Sequence, residues 1–355
     1  MDDLRDRLAG IMLGTAVGDS LGLPAEGLSP QRRRRSMPGA WRHRLLFGRG
    51  MLSDDTEHTL FVAQSLLGHP DDAGAFQRRL AWHLRWWLAS LPAGIGKATA
   101  QACLKLWSGI PPARSGVFSA GNGAAMRSAI LGGYFYDRPE MIQLYAAAST
   151  RLTHTDPRAE IGARAIANVA AWAVGDEHKE RPDFDSIVSK LVELAPDDGE
   201  WNKWIKCALE AYREGVSVPD FAVSLGLENG VTGYIYRTVP VAIYAWVRHY
   251  GDFRATLEKA LDCGGDADTV GAIAGALAGA TVGADKIPDV WIRGIIDWPR
   301  STTLLRRVAG RLAEQRAAGM PLGEVSYFWP AVLPRNLLFL LVVLFHGFRR
   351  LTPPY

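Results

Sequence analysis

Apolar residues in this chain recur mainly at intervals of three and four, and stretches of strict alternation are scarce, so the pattern predicts helices rather than strands. A first helix is expected over Leu4 to Val17 and a second over Thr56 to Leu67, with Leu60, Ala63, Gln64 and Leu67 marking successive turns. Phe76 to Leu91 follows, rich in Trp and Arg and punctuated by Pro92, Gly94 and Gly96. The period continues over Ala124 to Tyr134, Met141 to Thr150, Ala159 to Val174 and Trp201 to Glu214. It resumes over Val239 to Tyr250, Phe253 to Leu261 and Thr269 to Val282. Gly271, Gly275 and Gly279 lie four apart in the last of these, leaving a flat stripe where another backbone can approach closely. Central packing in a soluble bundle is the expected use of that stripe.

Connections are short and no Ser-, Pro- or Gly-rich linker interrupts the pattern. The reading is therefore all-α, with one compact domain over residues 1–300 and a C-terminal helical extension over 301–355 whose role the pattern leaves open. Within that extension Leu337 to Phe345 is an unbroken apolar run bounded by Arg335 and by Arg349-Arg350. It falls short of the roughly 18–20 residues a membrane span needs. A packed or capping helix is expected; contact of the tail with a membrane surface or a partner is the alternative, kept open by Phe348 and the flanking arginines.

Composition changes little in this picture. The 355 residues are 48% hydrophobic and 22% charged, as in ordinary globular proteins, and the net charge is +3. Arg32 to Arg35 form a short basic run that reads as a solvated loop, so no specific nucleic-acid partner is expected. Cys103, Cys207 and Cys263 lack paired spacing, which argues against a disulfide framework and a zinc site. The N-terminus lacks the basic start and apolar stretch of a signal peptide. A cytoplasmic location is expected.

The candidate chemistry is acidic. Ser53-Asp54-Asp55-Thr56 and Asp266-Ala267-Asp268-Thr269 each open a predicted helix, and the second follows Cys263-Gly264-Gly265, where the backbone can bend sharply. Helix capping explains a Ser and one or two acids at such a place. Adjacent carboxylates with hydroxyls exceed that need, and four carboxylates brought together would repel unless cations neutralised them. All the donors are oxygens, which suits Mg²⁺ or Mn²⁺ better than zinc. Two further elements are weaker. Gly121-Asn122-Gly123 enters a helix as a Gly-rich turn, serving either as an ordinary turn or as a phosphate cradle. His154, in Thr153-His154-Thr155-Asp156-Pro157, is either a capping histidine or a ligand contact.

In this order the elements resemble the ADP-ribosylglycohydrolase family. The resemblance rests on Gly14-Thr15-Ala16-Val17-Gly18-Asp19-Ser20-Leu21-Gly22, Glu26, Ser53-Asp54-Asp55-Thr56 and Gly121-Asn122-Gly123-Ala124-Ala125-Met126-Arg127. It continues with Thr153-His154, Gly233-Tyr234 and the run from Cys263 to Gly275, and spans Leu4 to Val282. It implies a compact helical fold with a cleft for two divalent cations, Mg²⁺ or Mn²⁺, held by Ser53, Asp54, Asp55, Asp266, Asp268 and Thr269. Gly121, Asn122, Gly123, His154 and Tyr234 would contact ADP-ribose, and Asp55 or Glu26 would position or deprotonate the attacking water. The implied activity is hydrolytic removal of ADP-ribose from a modified protein side chain, arginine first, or from a small ADP-ribosyl conjugate. The alternative is a non-catalytic ADP-ribose-binding or structural, crystallin-like relative.

Overall fold

A computed structural model describes residues 2–175 and 181–350. Its helices are α1 (Asp2–Gly22), α2 (Pro30–Ser36), α3 (Asp54–Gly68), α4 (Ala73–Ala89), α5 (Lys97–Trp107), α6 (Ala129–Tyr134), α7 (Pro139–Arg151), α8 (Pro157–Val174) and α9 (Phe184–Glu193). The order continues with α10 (Gly199–Arg213), α11 (Val218–Ser224), α12 (Ile235–Arg248), α13 (Phe253–Leu261), α14 (Ala267–Val282), α15 (Asp289–Gly294), α16 (Thr302–Ala318) and α17 (Val332–Arg349). Among the described residues extended backbone pairs only in isolated bridges, several of them joining the loops around one cleft.

The axis of the fold is the pair α1 and α14. Every residue of α1 from Leu8 to Gly22 is buried, as is every residue of α14 from Ala267 to Ala280. Helices apolar all round belong in an interior, and these two touch through backbone rather than side chains. A Cβ added at Gly10 would lie 2.1 Å from the Gly279 carbonyl oxygen, one at Gly14 2.1 Å from that of Gly275, and one at Gly18 1.9 Å from that of Gly271. Each step of four along α1 meets a step of four back along α14, so the helices run antiparallel in fixed register. The glycine stripe at 271, 275 and 279 thus has a matching stripe on α1, and the register lays the C-terminal end of α1 beside the N-terminal end of α14.

α8 and α12 pack along α14, while α3 and α16 pack against α1. The core does not stop near residue 300. Leu304, Leu305, Val308 and Leu312 of α16 are buried in the same cluster as α1 and α3. The Gly-rich turn opens with a 3-10 segment, Asn122–Arg127, so the α-helix expected from Ala124 begins only at Ala129. Periodicity also missed α2, α5, α9, α11, α15 and α16, and the run Arg32 to Arg35, expected as a solvated loop, lies in α2 with Arg33 buried. α17 is twice as long as the apolar run it contains, because Arg335 and Asn336 turn inward to buried partners.

Candidate active site

The site forms where the two helix N-termini meet. Ser53 stands at the N-cap of α3 and Asp266 at that of α14, yet neither side chain caps its helix. Asp19, at the end of α1, does that work for α3 instead. Its Oδ2 accepts the Ser53 N–H at 2.9 Å, the Thr56 N–H at 3.3 Å and the Thr56 hydroxyl. Ser53, Asp54 and Asp55 are therefore released from capping. Asp19 stands in the motif that carries the resemblance but has no role assigned there, because that role depends on backbone groups 34 and 37 positions away.

The two acidic blocks touch. Thr269 Oγ1 donates to Asp55 Oδ2 at 3.3 Å, and Ser53 Oγ lies 3.5 Å from the same oxygen. Asp55 Oδ1 and Asp19 Oδ1 are buried without a hydrogen-bond partner. Burial raises Asp55 well above the carboxylate range, and the nearby Asp54, Asp19 and Asp266 push the same way. Burial likewise raises Asp268, reinforced by Glu26, Asp266 and Asp55, and Asp54, reinforced by Asp19, Glu26 and Glu57. Asp19 is pushed up to about 6 by burial, against the opposing hydrogen bonds from Thr56 and Ser53. This set of oxygens is poised for positive charge, protons or a cation. Its all-oxygen chemistry and unpartnered atoms fit a hard divalent ion, although among the described residues no three acid or imidazole side chains already stand in a ligand arrangement.

A cleft of about 310 Å³ opens over the blocks, lined by Glu26, Ser53, Asp54, Gly121, Asn122, Gly123, His154, Gly233, Asp266, Asp268 and Thr269. Asp55 is buried just behind that wall. Asn122 bridges the wall's two halves: its carboxamide donates to Asp266 Oδ2 at 2.6 Å and to Thr238 Oγ1 at 3.1 Å, and its N–H bonds the Gly233 carbonyl at 2.9 Å. Gly121 and Gly123 are small for a reason, since a Cβ at either would stand 3.1 or 3.3 Å from the His154 ring. Burial lowers His154 to about 3, helped by Arg127, so its imidazole is neutral. Arg127 is itself buried; it donates to Gly123 O, Ser149 Oγ and O, and Thr153 Oγ1, and Thr153 Oγ1 in turn lies 2.8 Å from His154 Nδ1. Arg127 thereby ties the Gly-rich turn to the histidine, a positioning role the sequence reading did not assign.

Tyr234 is placed differently from its companions. Its backbone pairs with Gly121, but its hydroxyl donates to Glu200 at 2.9 Å and accepts from Arg158 at 3.3 Å, outside the cleft lining. The tail, by contrast, reaches the site. Phe339 and Val343 of α17 form an apolar wall of the cleft with Leu23 and Ala93. Arg335 donates to Asp297 and to the Leu52 carbonyl, and Asp297 accepts the Leu52 N–H at 2.9 Å, so the residue before Ser53 is clamped from both sides.

With this geometry in place, the family model described as ADP-ribosylglycohydrolase matches residues 1–320. The chain belongs to the ADP-ribosylglycohydrolase family. It is 32% identical over 309 residues to an uncharacterised protein of Archaeoglobus fulgidus, covering 83% of this chain and 93% of that one. It is 27% identical over 300 residues to the ADP-ribosyl-[dinitrogen reductase] glycohydrolase of Rhodospirillum rubrum, covering 81% and 90%. A solved structure titled ADP-ribosylglycohydrolase-related protein complex superposes with a TM-score of 0.63 at 27% identity, over 89% of this chain and all of that one. The family's activity is hydrolytic removal of ADP-ribose, and the chain is an enzyme of that class.

Proposed function

We propose that this ADP-ribosylglycohydrolase depends on two divalent cations, Mg²⁺ or Mn²⁺, held by Ser53, Asp54 and Asp55 on one side and Asp266, Asp268 and Thr269 on the other. The observation that carries this is the meeting of the blocks through Thr269 and Asp55 while Asp19 relieves Ser53 of capping. When bound, such ions supply Lewis-acid polarisation and a more acidic water.

The chain's own groups do the rest. The neutral His154 and the side-chain-free Gly121 and Gly123 leave one flank open for a diphosphate and its ribose. Asn122, held against Asp266 through its amide nitrogen, lines the same space. Clustered carboxylates lower the energy of the oxocarbenium-like transition state at the distal ribose C1. Glu26 stands at the cleft surface with access to solvent, whereas Asp55 is buried behind it. The proton leaving the attacking water goes to one of these two carboxylates. Arginine is the first acceptor on the family resemblance, with serine and small conjugates as alternatives. Three free thiols fit a reducing, cytoplasmic setting.

A release assay on arginine-, serine- and small-molecule-linked ADP-ribose, run after exhaustive chelation and after readdition of Mg²⁺ or Mn²⁺, tests the proposal. Release that returns with the ion is expected. Turnover that survives chelation unchanged sinks the two-ion reading, and turnover of serine conjugates alone sinks the arginine assignment.

A further inference from the structure

The outer face of α17 is turned to solvent. Leu337, Leu341, Leu344, Phe345 and Phe348 are all exposed there. With the turn before it, the helix is long and apolar enough to cross a bilayer. Its inner face argues against crossing, because polar groups fasten it along its whole length. Arg335 pairs with Asp297, and the Asn336 carboxamide donates to Ser90 O at 2.8 Å and Oγ at 3.0 Å. His346 Nε2 lies 2.6 Å from the Leu45 carbonyl, and Arg350 donates to the Pro24 and Glu26 carbonyls, each at 2.8 Å. A spanning helix would carry these groups into hydrocarbon without their partners. The helix lies flat on the protein, one face satisfied and the other bare.

A second observation sits beside it. Leu45 and Leu46 pack with Phe339 and Val342, and the next residue, Phe47, is 99% exposed. Leu46 and Arg49 close a two-residue turn, with N–H to carbonyl distances of 3.0 and 2.8 Å. Within it Phe47 has φ 48 and Gly48 φ 77. Asn, Asp or Gly is the usual occupant of the first position; a large aromatic residue held there in left-handed backbone is strained and packs on nothing. The charge is equally one-sided. Residues 27–53 and 325–355 together contain ten arginines and not one Asp or Glu. Arg42 and Arg49 are exposed around the turn, and Arg349 is exposed at the end of α17.

We propose that α17 and the Phe47 turn dock this protein on an anionic lipid surface, the helix in the interfacial plane and Phe47 inserted beside it. An apolar face edged by the exposed Arg42, Arg49 and Arg349 matches acyl chains beneath anionic headgroups, with Glu26 the one carboxylate beside it among the described residues, next to Arg350. The same helix lines the cleft from below through Phe339 and Val343, so docking holds the cleft near the bilayer surface. The inference goes beyond the hydrolytic reading and does not depend on it.

Co-sedimentation of the full chain with phosphatidylcholine vesicles, and with vesicles also containing phosphatidylglycerol, tests the proposal. Binding is expected to the anionic vesicles and to weaken as salt is raised. The double variant Leu341→Glu/Phe345→Glu should lose about tenfold or more of that binding, and Phe47→Asp a smaller part, with unchanged circular dichroism and melting. Wild-type protein that stays in the supernatant with both vesicle types overturns the proposal. So does a folded double variant that binds as well as wild type. Light scattering that shows a dimer split by the double variant, without any vesicle binding, assigns the face to a second copy and likewise overturns it.

Discussion

Thr269 Oγ1 reaches Asp55 Oδ2 across 3.3 Å, joining residues 214 positions apart at the N-termini of α14 and α3. Neither N-cap residue, Ser53 or Asp266, caps its helix through its side chain, and Asp268 accepts only the adjacent Thr269 N–H at 3.0 Å, so the crowded carboxylates exceed what capping uses. A cluster selected for stability would be improved by more acids at the caps; a ligand cluster would be improved by removing one.

Asp268→Asn separates these cases. Without divalent ions the variant should be more stable than wild type by about 1–2 kcal/mol, because a buried acid crowded by other carboxyls is gone. Hydrolysis should fall below detection, and added Mg²⁺ or Mn²⁺ should no longer raise the melting temperature. A variant that melts lower and still turns over returns the block to a capping role.

Glu26→Gln tests the division of labour with Asp55. Glu26 borders the cleft while Asp55 is enclosed between the helices. The expected result is a kcat lowered about 10²- to 10⁴-fold with the ion-induced rise in melting temperature intact. Asp55→Asn should lose both. If Glu26→Gln keeps its kcat, the proton goes to Asp55.

Gly275→Ala should destabilise by about 3 kcal/mol or more, since the new Cβ would stand 2.2 Å from the Gly14 carbonyl oxygen with backbone on both sides. Loss of ion binding should accompany the loss of stability, because the same register brings together the ends of α1 and α14 that carry Asp19 and Asp268. Chemical denaturation read beside ion titration checks both. A stable, fully active variant contradicts the close packing.

Acid should expose a separate contribution. Burial pushes Glu324 up, but hydrogen bonds from Arg79 and His83 outweigh it and hold the carboxyl at about 2. Because the folded value is depressed, this stabilisation is complete above about pH 4.5 and is lost as pH falls toward 2. It amounts to roughly 2–3 kcal/mol. Glu324→Gln should flatten the acid limb of the stability profile over that window and leave hydrolysis near neutral pH unchanged.

Much of this was legible in the sequence, and the exceptions have physical causes. The period of Leu60, Ala63 and Leu67 marked α3, and the charge in Ser53-Asp54-Asp55 and Asp266–Thr269 marked a site. That the blocks meet was not legible, because it depends on Gly10, Gly14 and Gly18 answering Gly279, Gly275 and Gly271 across the fold. Arg127 ends a family motif in the sequence but carries no role there, since only the folded chain supplies the carbonyls and hydroxyls that it holds. In α16, arginines between the buried leucines obscured the apolar stripe, and in α17 the inward Arg335 and Asn336 hid the first turn of a helix that reads as merely greasy.

The loan of Asp19 to the start of α3 also sets the order in which the site can come into being. Until α1 has docked, the Ser53 and Thr56 amides have no acceptor there, and Ser53 is free to fold back on its own helix as serines at that position do. The catalytic constellation therefore exists only while α1 is docked on α3, and it is lost in any opening between them. Slow hydrogen exchange at these two amides would be a direct gauge of how often the site is whole.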